Sequence, residues 1–240
     1  FKPQIFAALK LYQEKNFNPS LTKGAWAGEI GMVQMLPRDI LQYGYDGDRD
    51  GKIDIQNSVS DALMSAANML VGFGWRPNQP WMEQVFLPES FNWGLSGLDQ
   101  KYTLDQWKKF GVESHNLNNS AYKQKASIIF PQGRNGPAFL VFQNFRVLFE
   151  WNQSFVYVTT AAYFANLLEG RNPLGTFNPD LGLDKNQMKK MQRKLIKLGY
   201  DVGKVDGILG AKTRAAVQKM QKIMGIPADA WPTPRFLDLL

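Results

Sequence analysis

The chain has 240 residues, 44% hydrophobic and 20% charged, with 28 Lys/Arg against 21 Asp/Glu and a formal net charge of +7. That is the composition of a globular chain of one or two domains, and no run of about 18 apolar residues is present to span a membrane as a helix. The lack of Cys excludes disulfides, zinc–thiolate sites and thiol nucleophiles; the single His, His115 in SHNLNN, excludes paired-His zinc and gives no local sign of a catalytic triad.

Residues 4–15 pattern as an amphipathic helix with Ile5, Ala8, Leu9 and Tyr12 on one face. GAWAGEIGMVQMLP follows at 24–37, where three glycines and a Trp surround one amide, Gln34. After the polar turn YDGDRDGKIDIQN, Ser58 or Ser60 can cap a helix carrying Val59, Leu63, Ala66 and Leu70. Gly and Pro between Phe73 and Pro80 end it. In 88–136 short aromatic pieces alternate with Gly and polar residues, which predicts a small, partly β subdomain. PAFLVFQNFRVLFEWNQS then leads into a helix from about Phe155 to Leu168, with Val158, Ala161, Ala162 and Ala165 inward. Residues 170–182, GRNPLGTFNPDLG, read as a linker. Beyond it Met188, Met191, Leu195 and Leu198, then Thr213, Val217, Met220 and Met224, follow helical steps on either side of LGYDVGKVDGILG. Residues 183–240 hold twelve Lys/Arg against five Asp/Glu, which leaves sixteen of each sign in 1–182. The excess positive charge therefore belongs to a C-terminal module with its own partner.

The acidic turn has calcium-loop spacing. Asp46, Asp48, Asp50 and Gly51 fit positions 1, 3, 5 and 6, Lys52 offers a carbonyl at position 7, and Asp54 sits at position 9. Position 12 is Asn57 where a Glu is usual. The other reading is an exposed Asp–Gly turn before a capped helix.

Residues 183–240 resemble the small helical peptidoglycan-binding domain of cell-wall enzymes: Gln192 before Leu195, then LGY, VDGILG, KTRAAV and the late Gln221, Gly225 and Pro227. Residues 1–170 resemble the lytic murein transglycosylases of the B type through Gly24, Trp26, Ala27, Gly28, Gly31, Gln34 and Pro37. The likeness continues through DGDRDGKIDIQNSVSDALMSAANML and FEWNQS. The resemblance implies a mainly α fold: a lysozyme-like helical core at 1–170 with an inserted, partly β subdomain at 88–136, a linker at 171–182, and a three-helix peptidoglycan-binding domain at 183–240. It implies cleavage of the β-1,4 MurNAc–GlcNAc bond to give 1,6-anhydro-MurNAc ends, with one Glu as acid and then base.

The same resemblance gives glycan-binding roles to Gln34, Trp26, Trp151, Asn152, Ser154 and Tyr157. An amide offers sugars a donor and an acceptor, and an aromatic ring can cover a pyranose face. A turn-closing Gln34, a core-packed Trp151 and a helix-capping Asn152 are the alternatives. Some relatives close a calcium loop with a distant acid, a part open to Asp61. No other cofactor is expected. Glu14, in LYQEKNF, does not match the family's catalytic context, so the catalytic Glu is expected N-terminal to Phe1. Ala25 stands where the family has Ser, and Glu29 where it has Ala. The expected partner is peptidoglycan and not nucleic acid, for a monomeric periplasmic protein open to outer-membrane anchoring through an upstream segment. The rival readings are a wall-binding scaffold without catalysis and a calcium-responsive wall protein.

Overall fold

The computed structural model describes residues 1–14, 17–114 and 124–240. His115 lies outside the described residues. The chain divides into two compact units, Phe1–Arg76 and Pro77–Leu240. Among the described residues, no helix is long and apolar enough to cross a membrane.

The first unit holds α1 (Lys2–Gln13), α2 (Pro37–Tyr43) and α3 (Val59–Gly72) around Ala7, Leu11, Met35, Ile40, Ala62 and Met69. Pro37 opens α2 at a position where its missing N–H is no loss, and Ser58 caps α3 by accepting from the Asp61 N–H. The inward faces of α1 and α3 are not the ones the periodicity marks. Ile5, Leu9 and Tyr12 are exposed, and so are Val59 and Leu63. Polar anchors explain the rotation. Gln4 on α1 accepts from the Arg38 N–H (2.9 Å) at the uncapped start of α2, which turns Gln4, Ala7 and Leu11 toward that helix. On α3, Ser65 accepts from Tyr45 N–H and Asp61 accepts from the acidic loop, so the stripe Asp61, Ala62, Ser65, Met69 faces inward.

The second unit is built on an antiparallel sheet in the order β1-β4-β3-β2, from β1 (Met82–Val85), β2 (Tyr102–Thr103), β3 (Lys125–Ile129) and β4 (Ala138–Val141). Met82 pairs with Val141, and Ile128 with Leu140. The sheet extends past the predicted 88–136 at both ends. Its period-2 alternation sends Ile128, Ala138 and Leu140 to a cluster with Phe91, Leu104 and Trp107. Ile129, Phe139 and Val141 go to an opposite cluster with Phe145, Phe155, Val158 and Ala162. Both faces of β4 are thus covered, so AFLV is a continuous apolar run that periodicity alone does not separate from a helix. The helices on this sheet are α4 (Leu104–Lys109), α5 (Gln143–Trp151) and α6 (Phe155–Leu168). On α6 the buried positions are Phe155, Val158, Thr159, Ala162 and Asn166, with Ala161 and Ala165 only half-buried.

Residues 170–182 form no helix or strand beyond the turn that ends α6, yet they are held down. The Leu174 N–H donates to the Tyr163 hydroxyl (3.0 Å), and Trp231 Nε1 donates to the Asp180 carbonyl (2.9 Å). Beyond this strap come α7 (Lys185–Lys197), α8 (Ala211–Ile223) and α9 (Pro234–Leu239), three helices around Met188, Met191, Leu195, Val217 and Phe236. Asp184 and Gln187 form a reciprocal cap at the start of α7. Gln192 is fully buried: its Oε1 accepts from Gly207 N–H (2.9 Å) and its Nε2 donates to the Ile208 carbonyl (3.1 Å). One side chain thus fixes the VDGILG loop.

Candidate functional site

The glycine-rich stretch folds as two linked turns. Ile30 and Met35 exchange backbone hydrogen bonds across Gly31–Gln34, and the Gln34 N–H donates to the Gly31 carbonyl (3.2 Å). Gly31 has φ +76°, and a Cβ there would lie 2.4 Å from the Ile55 carbonyl oxygen, so the position needs Gly for two separate reasons. Gln34 is itself left-handed at φ 54°, exposed, with its Nε2 donating to the Gly31 carbonyl (2.8 Å). Among the described residues its amide oxygen accepts no hydrogen bond. The side chain closes a turn and still presents an acceptor to solvent.

Trp26 is 91% exposed on the neighbouring turn and borders a hollow of about 330 Å³ with Ile5, Phe17, Ala25 and Ile30. Glu29 does not sit free in solvent: its Oε2 accepts from the Ala27 N–H (3.2 Å). Glu14 lies exposed at the end of α1, 3.8 Å from Lys10. Burial raises the Asp39 carboxyl above its ordinary range, against the opposing pull of Arg38 and a backbone hydrogen bond at Leu36; its place is the first turn of α2.

In the acidic loop Asp46, Asp48 and Asp50 each bring a carboxylate oxygen within 4.8 Å of the others. Asp46 accepts from the Asp50 and Gly51 N–H groups, which wraps the turn around that cluster. Three hard oxygen donors on a tight turn are suited to a divalent cation such as calcium. Asp61 is placed differently from the expected closing ligand. It is 1% exposed, and its two oxygens accept from the N–H groups of Gly47, Asp48 and Asp54. Burial pushes its carboxyl up, but those donors and the Ser58 contact outweigh burial and hold it below the usual carboxylate range. Asp61 therefore shapes the loop from inside. Lys52 donates its N–H to Asp50 Oδ1 (2.8 Å), which leaves its carbonyl out of that bond.

Trp151, Asn152, Ser154 and Tyr157 lie together in the second unit, at the junction of α5 and α6. Trp151 ends α5 half-buried, and the Asn152 side chain accepts from the Ser154 N–H (2.9 Å). Ser154 caps α6 by accepting from the Tyr157 N–H (3.3 Å), and Tyr157 is 52% exposed. Helix capping thus falls to Ser154, and Asn152 forms the turn before it. Trp26 and Gln34 belong to the first unit.

The sequence reading missed a buried cation. Arg214 in KTRAAV is 8% exposed. Its guanidinium donates to the carbonyls of Phe130 (3.0 Å) and Pro131 (2.7 Å), and lies 4.3 Å from the Phe155 ring centroid and 5.7 Å from that of Trp231. Burial lowers its pKa to about 9, partly offset by Asp229, so it stays charged at neutral pH. One turn on, Gln218 Nε2 donates to Ser96 O (3.0 Å), Ser96 Oγ (2.8 Å) and Ala228 O (3.0 Å). The signal was spacing: Arg214, Gln218 and Gln221 recur at i, i+4 and i+7 beside Val217, which is a buried stripe.

With this geometry in hand, the likeness to known proteins is specific. Residues 1–166 match the family model described as the transglycosylase SLT domain, and residues 184–240 match a peptidoglycan binding domain model. The structure of SltB3 from Pseudomonas aeruginosa in complex with NAG-anhNAM-pentapeptide is 38% identical over 99% of this chain and 64% of that one, with a TM-score of 0.83. Membrane-bound lytic murein transglycosylase B of Escherichia coli (strain K12) is 32% identical over 75 residues, 31% of this chain and 20% of that protein. The Escherichia coli lytic transglycosylase Slt35 in complex with calcium shares the fold at 22% identity and a TM-score of 0.56, over 69% of this chain and 54% of that one. The chain thus spans less than two thirds of these relatives' own length. The lysozyme-like, mainly helical fold implied by the resemblance is borne out, and the chain belongs to the transglycosylase SLT domain family, with a peptidoglycan binding domain at its C-terminal end.

Proposed function

We propose that this chain acts in a lytic transglycosylase that cleaves the β-1,4 MurNAc–GlcNAc bond of peptidoglycan and leaves 1,6-anhydro-MurNAc ends. The carrying observation is the 38% identity, over nearly the whole chain, to SltB3 with a NAG-anhNAM-pentapeptide. In the proposed step a carboxyl donates its proton to the bridging oxygen as the C1–O bond breaks. The C6 hydroxyl of the same MurNAc bonds to C1 and passes its proton to the carboxylate, so no water is consumed. That carboxyl needs a raised pKa in a sheltered place. We do not assign the role to Glu14, exposed beside Lys10, or to Glu29, held by Ala27. Gln34, whose amide oxygen accepts no hydrogen bond among the described residues, and the exposed Trp26 and Tyr157 are proposed to contact the glycan, with Trp151, Asn152 and Ser154 beside Tyr157. The proposed setting is the periplasm, with a structural calcium ion at Asp46, Asp48 and Asp50.

Mass spectrometry of sacculi incubated with the protein tests the reading. 1,6-Anhydromuropeptides are expected. Reducing-end sugars alone would mean hydrolysis, and sacculus binding without release would favour the scaffold.

A further inference from the structure

Helix α7 carries six cations, Lys185, Lys189, Lys190, Arg193, Lys194 and Lys197, and no acid. They are half of the twelve Lys/Arg in residues 183–240. Met188, Met191, Gln192 and Leu195 turn inward, so the cations are confined to the rest of the helix surface. Lys189 and Lys194 are half-buried and the other four are exposed. A solvated helix face usually mixes its signs. Here residues 185 and 189, 189 and 193, 193 and 197, and 190 and 194 are like-charge neighbours at i, i+4, an arrangement that weakens a helix.

The acids of the same region do not relieve that repulsion. Asp184 accepts from the Asn186 and Gln187 N–H groups as the cap of α7. Asp201 pairs with Lys212 (2.8 Å), and Asp206 accepts from the Ile208 N–H and the Gln192 amide. Asp229 is buried and held by Gln221 and the Trp231 N–H. Asp238 stands exposed on α9. Among the described residues none of the six cations of α7 enters an ion pair; Lys194 Nζ donates to the Leu237 carbonyl (3.4 Å).

The kind of charge matters as well. Five of the six are Lys, a point charge on a flexible stem, which suits a field of phosphates; a single shaped carboxylate is read better by the planar fork of Arg. At 13 residues α7 is about 20 Å long, and its cations run from end to end. Ile196 and Leu198, 45% and 52% exposed, add apolar groups at its C-terminal end, where lipid headgroups can shelter them.

We propose that the basic face of α7 docks on the surface of an anionic phospholipid bilayer. The contact is peripheral, because the apolar stripe of the helix is already packed in the core of its own three helices. It stands independently of the wall-binding reading.

The test is co-pelleting of the 240-residue chain with vesicles of phosphatidylcholine alone or with about 30% phosphatidylglycerol. Binding is expected only with phosphatidylglycerol, at about 0.1 M salt, and is lost at about 0.5 M. Lys190→Glu with Arg193→Glu should weaken it more than tenfold, since each cation near such a surface is worth about fivefold. Lys219→Glu with Lys222→Glu, the same change of net charge placed on α8, should weaken it about threefold at most. No binding, equal binding to both vesicles, or equal loss in the two variants would overturn the proposal. Binding of soluble polyphosphate without vesicle binding would overturn the bilayer as partner. The α7 variant should still pellet with sacculi; loss of sacculus and vesicle binding together would give the face to the wall and overturn the proposal.

Discussion

At the scale of single residues, Gly31 and Gln34 divide the labour of one turn. Gly31 supplies the positive φ and the bare face against Ile55, so Gly31→Ala should cost about 2–4 kcal/mol, read as a drop in the denaturation midpoint. Gln34 is a non-glycine residue at φ 54°, a conformation that glycine adopts more easily. Gln34→Gly should therefore leave stability within about 1 kcal/mol while lowering the yield of anhydromuropeptides, since the backbone is kept and only the amide goes. A fall in stability with unchanged yield would give Gln34 a structural role alone. That Gln34 sits in a glycine-built turn was legible from the motif around it. Its turn-closing bond was not, because a left-handed Gln has no sequence mark. Arg214 was hidden for the opposite reason. A basic residue among many basic residues reads as solvated, and only its neighbours' spacing shows that it faces inward.

At the scale of elements, the acidic loop and α3 are one device. Asp61 holds the loop by its backbone while Asp46, Asp48 and Asp50 gather their carboxylates within 4.8 Å of one another. The folded Asp61 carboxyl lies below its unfolded value near 3.9, so its contribution is present above about pH 4 and lost as pH falls through the folded value. Asp61→Asn should cost about 1–3 kcal/mol at neutral pH and flatten that acid limb, followed by urea melts between pH 2 and 6. Calcium should raise the melting temperature of the wild type, and Asp48→Asn should reduce that rise. The helices were legible where the sequence offered a single 3.6-residue stripe, as in α7 with Met188, Met191 and Leu195. They were misread where two stripes compete. On α1 and α3 the larger side chains lie outside, and the inner faces were chosen by Gln4, Asp61 and Ser65 through hydrogen bonds to other segments. No local pattern reports such partners. The strand β4 escaped for a related reason: with both faces covered it has no alternation to show.

At the scale of the whole molecule, the basic charge of the C-terminal region does not describe a module loose on a tether. Within the second unit, α8 sends Arg214 to the carbonyls of Phe130 and Pro131 and Gln218 to Ser96. The strap between them is fastened at Leu174 and Asp180. Arg214→Ala should cost about 2–4 kcal/mol and make residues 170–182 readily cut in limited proteolysis, where the wild type resists. Equal cleavage of both proteins would mean that the strap holds without the dock. Helix α8 thus serves two packings at once, Val217 inward to its own three-helix core and Arg214 outward to the sheet. That double duty bears on how such regions can be exchanged among enzymes. Cut out and spliced to a foreign catalytic domain, residues 184–240 would carry a guanidinium shaped for the carbonyls of Phe130 and Pro131 and the ring of Phe155, which the new host lacks. The graft would need a changed residue at 214 before it behaved as an independent cassette.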